Sequence, residues 1–166
     1  MRSRRRVRQR EVDDLFHALI GLLPDPWSAE EFVARVADSR LRRICVLPYP
    51  LSSDDPTGFW VSTPSADYIV IPENASGARR DAIIGHELAH IVLGHSPRLT
   101  SDVDGLAELA PSTPPELAAR YLPRQGYEAD IEQEAEAFAT RLISHVQAHP
   151  AAAPATELGR LSNRLR

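Results

Sequence analysis

RRDAIIGHELAHIVLGH, residues 79–95, carries three histidines and a glutamate on a stretch with helical periodicity, and its reading decides the fold. Ile84, Leu88 and Ile91 lie on one side of a 3.6-residue helix. His86 and His90 are four apart, so about 40° separates them around the axis, one a turn above the other. The pattern predicts a helix over residues 77–94, stopped by Gly94 and Pro97. Such a helix buries its apolar back and turns both histidines towards a cleft.

Two imidazoles so placed are able to hold one Zn²⁺ through their ring nitrogens. Glu87 projects beside them, where it can take a proton from a water on the metal. With 6 histidines in 166 residues, random order would produce HExxH with a probability of about 0.015, so the motif is informative. A catalytic zinc needs three protein ligands and one open position. His95 is the nearest third candidate, but its spacing rejects it. A metzincin places glycine seven and histidine ten residues after its first histidine; those positions here are Leu93 and Ser96. His95 therefore reads as a cation at the helix C-terminus or a group behind a ligand, with a plain surface place expected.

The third ligand is then sought on another helix. EADIEQEAEAFATRL, residues 128–142, offers four glutamates. Measured from Glu132, Glu128 and Glu136 lie within about 40° on either side, whereas Glu134 points about 200° away and reads as a solvated charge. Three carboxylates in one stripe repel one another unless a cation sits among them. Ala135 and Ala139 flank that stripe and permit close approach of a second helix. The full helix is expected over residues 127–147, with Ile131, Ala135, Phe138, Leu142 and Val146 as its apolar stripe.

Upstream, residues 11–23 place Val12, Leu15, Phe16, Leu19, Ile20 and Leu23 at helical spacing before Pro24. Ser28 is placed to cap a second helix reaching to residue 38, with Glu30 and Glu31 in its first turn and Phe32, Val33 and Val36 as its apolar side. RRICVLPYPL, residues 42–51, reads as a strand closed off by Pro48 and Pro50. SDDPTG is a turn, and GFWVST followed by DYIVIP reads as a β-hairpin. Residues 97–126 read as a loop with one short helix near 115–121. Residues 148–166 read as a linker and a short C-terminal helix. The expected class is α+β: a small antiparallel or mixed three-stranded sheet over residues 41–72, packed on the HExxH helix and a glutamate-bearing helix. Residues 11–147 form one domain by length.

All 19 basic residues are arginine, and six of them fall in residues 2–10. The remainder of the chain carries 13 arginines against 23 acids, a net −10. Residues 1–10 thus read as a flexible, solvated arm that could touch phosphates weakly between Arg2 and Arg10. The acidic body argues against any broad nucleic-acid surface. One cysteine, Cys45, excludes an intramolecular disulfide and a four-thiolate zinc site, and its run ICVL suggests a buried small hydrophobe. No apolar run is long enough to cross a bilayer and no secretory signal is visible, so a cytoplasmic protein without a membrane partner is expected.

HELAHIVLGH followed by EQEAEAFATRLI, 42 residues beyond His90, resembles the ImmA/IrrE family of metallopeptidases. The second family motif, E-x-E-A-(N/D/E)-x-F-A-x-x-L, is matched by Glu132, Glu134, Ala135, Glu136, Phe138, Ala139 and Leu142. The resemblance covers roughly residues 28–147 and implies a minigluzincin-like fold. It implies one zinc per chain on His86, His90 and Glu132, with Glu87 as general base. It further implies that Glu136 hydrogen-bonds a ligand histidine and fixes its tautomer. The chain departs from the family in ending the motif with LISHV and in lacking an evident helix-turn-helix segment.

These readings add up to a cytoplasmic zinc endopeptidase. An oxyanion partner is needed, and Tyr121 and Tyr127 are the candidates. GFWVST or DYIVIP offers an edge on which an extended substrate would add as a strand. The family implies a helix-turn-helix transcriptional repressor as substrate, in a stress or mobile-element circuit. The alternative is a zinc-containing module that sequesters a repressor without cutting it, against which an intact Glu87 argues.

Overall fold

The computed structural model describes residues 2–51, 57–62, 65–95 and 129–149. They form helix α1 (Arg2–Ile20), helix α2 (Ala29–Ser39), strands β1 (Arg43–Tyr49), β2 (Phe59–Ser62) and β3 (Ala66–Pro72), and helices α3 (Gly77–Val92) and α4 (Ala129–Ala148). The class is α+β with a mixed sheet of order β1-β3-β2. The loop and short helix expected within 97–126, the C-terminal segment beyond residue 149, and most of the SDDPTG turn lie outside the described residues.

β2 and β3 pair antiparallel from Phe59 against Val70 to Ser62 against Asp67, as expected of a hairpin. β1 pairs parallel with β3, from Arg43 against Ala66 to Tyr49 against Pro72. β3 is thus central, which is why ADYIVIP is apolar on both faces: Ile69 and Ile71 join the main core, while Val70 joins Phe59 and Val61 in a smaller cluster. β1 runs through Pro48 rather than stopping before it. An edge strand tolerates this, because a proline there need not donate to the ladder. Cys45 is only half-buried, contrary to the expectation of a core position.

One polar knot holds the hairpin. Arg42 donates from Nε to Asp67 Oδ2 at 2.7 Å, and Trp60 Nε1 donates to Asp67 Oδ1 at 3.1 Å. Arg42 also reaches Ser62 Oγ at 3.2 Å. Burial alone would raise the Asp67 carboxyl, but hydrogen bonds from Arg42, Ser62 and Trp60, with the Arg42 charge, outweigh it and leave the group below its ordinary value.

α2 begins where the sequence places it: Ser28 Oγ accepts from the Glu31 N–H at 3.2 Å. Phe32, Val33 and Val36 are buried beneath it. It ends in a Schellman turn, with the Arg42 N–H on Ala37 O and the Leu41 N–H on Asp38 O. Leu41 occupies the left-handed position of that turn at φ 52° and is fully exposed.

The N-terminal segment departs from expectation. Residues 2–10, read as a flexible arm, continue α1 as helix. Arg8 provides a reason: its guanidinium bonds across to Glu134 on α4 and to Leu93 O at the end of α3. Further along α1, Phe16 meets Phe138 edge-on at 5.5 Å, and Arg141 of α4 lies over the Phe16 ring while pairing with Asp13. α4 in turn lies against α3 through small residues, since a Cβ on Gly85 would sit 3.9 Å from the Ala139 Cβ. That close approach brings the glutamates of α4 to the histidines of α3. Among the described residues no helix is long and apolar enough to cross a membrane.

Candidate metal centre

α3 buries Ile84, Leu88 and Ile91, and it also buries Glu87 and His90, which are 3% and 2% exposed. His86 and His90 share one face as their spacing requires, with Nε2 atoms 3.1 Å apart. Glu132, in the first turn of α4, places Oε2 3.4 Å from His86 Nε2 and 3.8 Å from His90 Nε2. These three atoms form a triangle in which a metal ion could be held.

The triangle can be tested against zinc. Tetrahedral ligands about 2.0–2.1 Å from a zinc lie about 3.3 Å from one another. The three separations, 3.1, 3.4 and 3.8 Å, bracket that edge length. The partners of the two Nδ1 atoms fit it as well. His86 Nδ1 is 3.3 Å from Glu136 Oε2, and His90 Nδ1 is 2.9 Å from His95 Nδ1. With a proton on each Nδ1 and an acceptor in front of it, both Nε2 atoms turn lone pairs to the same point. The donor set of two imidazoles and a carboxylate suits zinc.

The remaining candidates divide. Glu136 stands one turn beyond Glu132, facing His86, with its side chain 71% exposed. Glu128, Tyr121 and Tyr127 lie outside the described residues. Two expectations are corrected. His95, expected at the surface, is 6% exposed. Its Nε2 is 3.0 Å from Glu134 Oε2. Glu134, read as a solvated charge, accepts from Arg8 Nε and Nη2, both at 3.0 Å. That hydrogen bonding, opposed by burial and assisted by His95, holds its carboxyl below the ordinary value.

Helix-end geometry explains the error over His95. Gly94 takes φ 68°, the His95 N–H bonds His90 O at 3.0 Å, and the Gly94 N–H bonds Ile91 O at 3.3 Å. In such a Schellman turn the second residue past the cap folds back on the last turn of the helix. Gly94-His95 at the end of a helical pattern was therefore a readable sign that His95 returns to His90. Glu134 lies some 200° from Glu132 around α4, yet it is only half-exposed, because Arg8 of α1 and His95 reach it from that side. Arg8 carries no local signal that would have singled it out among six arginines.

Gly58 was also missed. It precedes β2 beside the site: a Cβ there would run into Ile83 Cγ2, and would lie 3.2 Å from Val70 O and 3.5 Å from Glu87 Oε1. The start of β2 therefore lies against the Glu87 carboxylate with no room for a side chain.

Compared with known proteins, the chain matches no protein-family model, no curated protein and no solved structure.

Proposed function

We propose that this chain is a zinc-dependent endopeptidase whose metal is held by His86, His90 and Glu132, with Glu87 as general base. The observation that carries the reading is the convergence of the two Nε2 atoms and the Glu132 carboxylate, with a glutamate buried on the same helix next to His86. Among the described residues three donors converge, the number a catalytic zinc takes from protein, and a structural zinc would not call for a neighbouring base. When bound, zinc supplies Lewis acidity, acidifying water and polarising a carbonyl.

The chain's own residues supply the rest. Glu87 accepts a proton from the attacking water and delivers it to the leaving amine. Glu136 accepts from His86 Nδ1 and keeps that ring in its coordinating tautomer. β3 is the central strand, so DYIVIP cannot receive a substrate strand; β2 is the strand beside Glu87 and the candidate edge for an extended peptide. The resemblance to ImmA/IrrE peptidases supports a minigluzincin-like assignment and a cytoplasmic, helix-turn-helix repressor as substrate.

The test pairs metal content with cleavage. Purified protein should hold one zinc per chain, and a repressor encoded beside it should be cut by wild type but not by Glu87→Gln that retains zinc. Loss of the repressor at an equal rate with Glu87→Gln sinks the protease reading.

A further inference from the structure

We propose that His95 is a positioning residue that fixes the His90 ring as an Nε2 donor, itself oriented by Glu134 and Arg8. This rests on the metal-centre reading above and adds residues that neither the HExxH motif nor the third ligand includes.

Proton bookkeeping along the chain of contacts leads to this assignment. Glu134 receives two hydrogen bonds from Arg8 at 3.0 Å, so its carboxylate is an ionised acceptor. Facing it at 3.0 Å, His95 Nε2 must therefore be a donor. Metal binding through His90 Nε2 requires the His90 proton on Nδ1, so His95 meets it with a bare Nδ1 and carries its single proton on Nε2. The two Nδ1 atoms lie 2.9 Å apart. His90 is left with a lone pair on Nε2, the atom aimed at His86 Nε2 and Glu132 Oε2. No other assignment satisfies both contacts of a neutral His95. The four groups, Arg8, Glu134, His95 and His90, come from α1, α4, the turn after α3, and α3 itself.

Backbone geometry holds the arrangement. The left-handed Gly94 and the bond from His95 N–H to His90 O bring the two residues together, and their rings meet edge to face with centroids 5.0 Å apart. Arg8 also donates to Leu93 O at 3.1 Å, joining α1 to the end of α3 directly before the turn. Each imidazole of the metal pair thus has its own acceptor behind it: exposed Glu136 for His86, buried His95 for His90.

The full chain is titrated with zinc in competition with a chromophoric chelator, and long-range proton–nitrogen NMR correlations locate the proton on each ring. With zinc bound, wild type should show His90 protonated on Nδ1 and His95 protonated on Nε2 only. His95→Phe should weaken zinc binding by about 10–100-fold, while the circular dichroism of the metal-free protein stays that of wild type and its thermal midpoint falls only as far as the lost hydrogen bonds require. His95→Asn, whose Oδ1 can stand in for Nδ1 as acceptor, should recover most of that affinity, which a purely space-filling role would not predict. Wild-type zinc affinity in His95→Phe overturns the proposal, as does a His95 proton on Nδ1. If His95→Phe does not fold, the wild-type ring protons still decide. Wild-type protein that takes up no zinc overturns the metal centre and this role together; undiminished affinity in His95→Phe overturns this role alone.

Discussion

Glu132 on α4 reaches His86 on α3 at 3.4 Å, Oε2 to Nε2, joining two helices whose nearest small residues, Gly85 and Ala139, let them approach closely. The metal triangle depends on that approach. Neither helix could assemble it alone.

On the proposed zinc reading Glu132→Ala removes one of three ligands, so zinc content should fall from one per chain to a small fraction, read by elemental analysis after dialysis. Zinc should also stabilise the wild type, by about 2.7 kcal/mol at a free concentration one hundred times Kd. That increment should vanish in Glu132→Ala, whose metal-free stability should stay near the wild-type value.

Gly58→Ala should both destabilise and impair. The added methyl would press on Ile83 and approach Val70 O and Glu87 Oε1. Overpacking of this kind costs about 1–3 kcal/mol. Cleavage of any peptide substrate should fall further than stability explains, with zinc content unchanged. A variant with full activity would remove β2 from the site.

Leu41→Gly should stabilise the fold. Leu41 is 96% exposed and holds φ 52° at the end of α2, so its side chain contributes strain with little packing in return. Glycine at this helix-end position should raise stability by about 1 kcal/mol, measured as the denaturant midpoint at constant slope.

Acid should destabilise the metal-free protein through three carboxylates. Asp67 is held below its ordinary value of 3.8 in the fold, and Glu30 and Glu134 below theirs of 4.5. A depressed native pKa adds stability that is complete above the unfolded-state value and is lost as pH falls through the native one. The stability these carboxylates contribute should therefore be level above about pH 5 and fall below about pH 4. Asp67→Asn should flatten that fall and lower the plateau, because the neutral amide gives Arg42 a weaker partner. A slope unchanged in Asp67→Asn would assign acid sensitivity elsewhere.

Local sequence was enough for most of what depends on local periodicity and capping, the turn at Gly94-His95 excepted. The Ser28 cap, the α3 stripe of Ile84, Leu88 and Ile91, the hairpin of β2 and β3, and the shared face of His86 and His90 follow from residue spacing, because each is set by backbone geometry within a few residues. Glu132 and Glu136 could be placed on one face of α4 by the same reasoning, though which glutamate meets the histidines depends on how α4 docks.

Tertiary structure alone decided the parallel pairing of β1 with β3, the continuation of α1 through residues 2–10, and the half-buried place of Glu134 between Arg8 and His95. Pairing across a crossover leaves no periodic trace within a strand. Helical angle says which side of α4 Glu134 occupies but not what covers that side, and here it is α1, through Arg8. A charged side chain keeps its place beside a packed helix only when a distant partner compensates it. That partner stands 126 residues away in the chain, a distance over which sequence spacing carries no information. So HELAHIVLGH puts two histidines on one helix face, and the fold brings Glu132 to them and sets Glu134 and Arg8 behind His95.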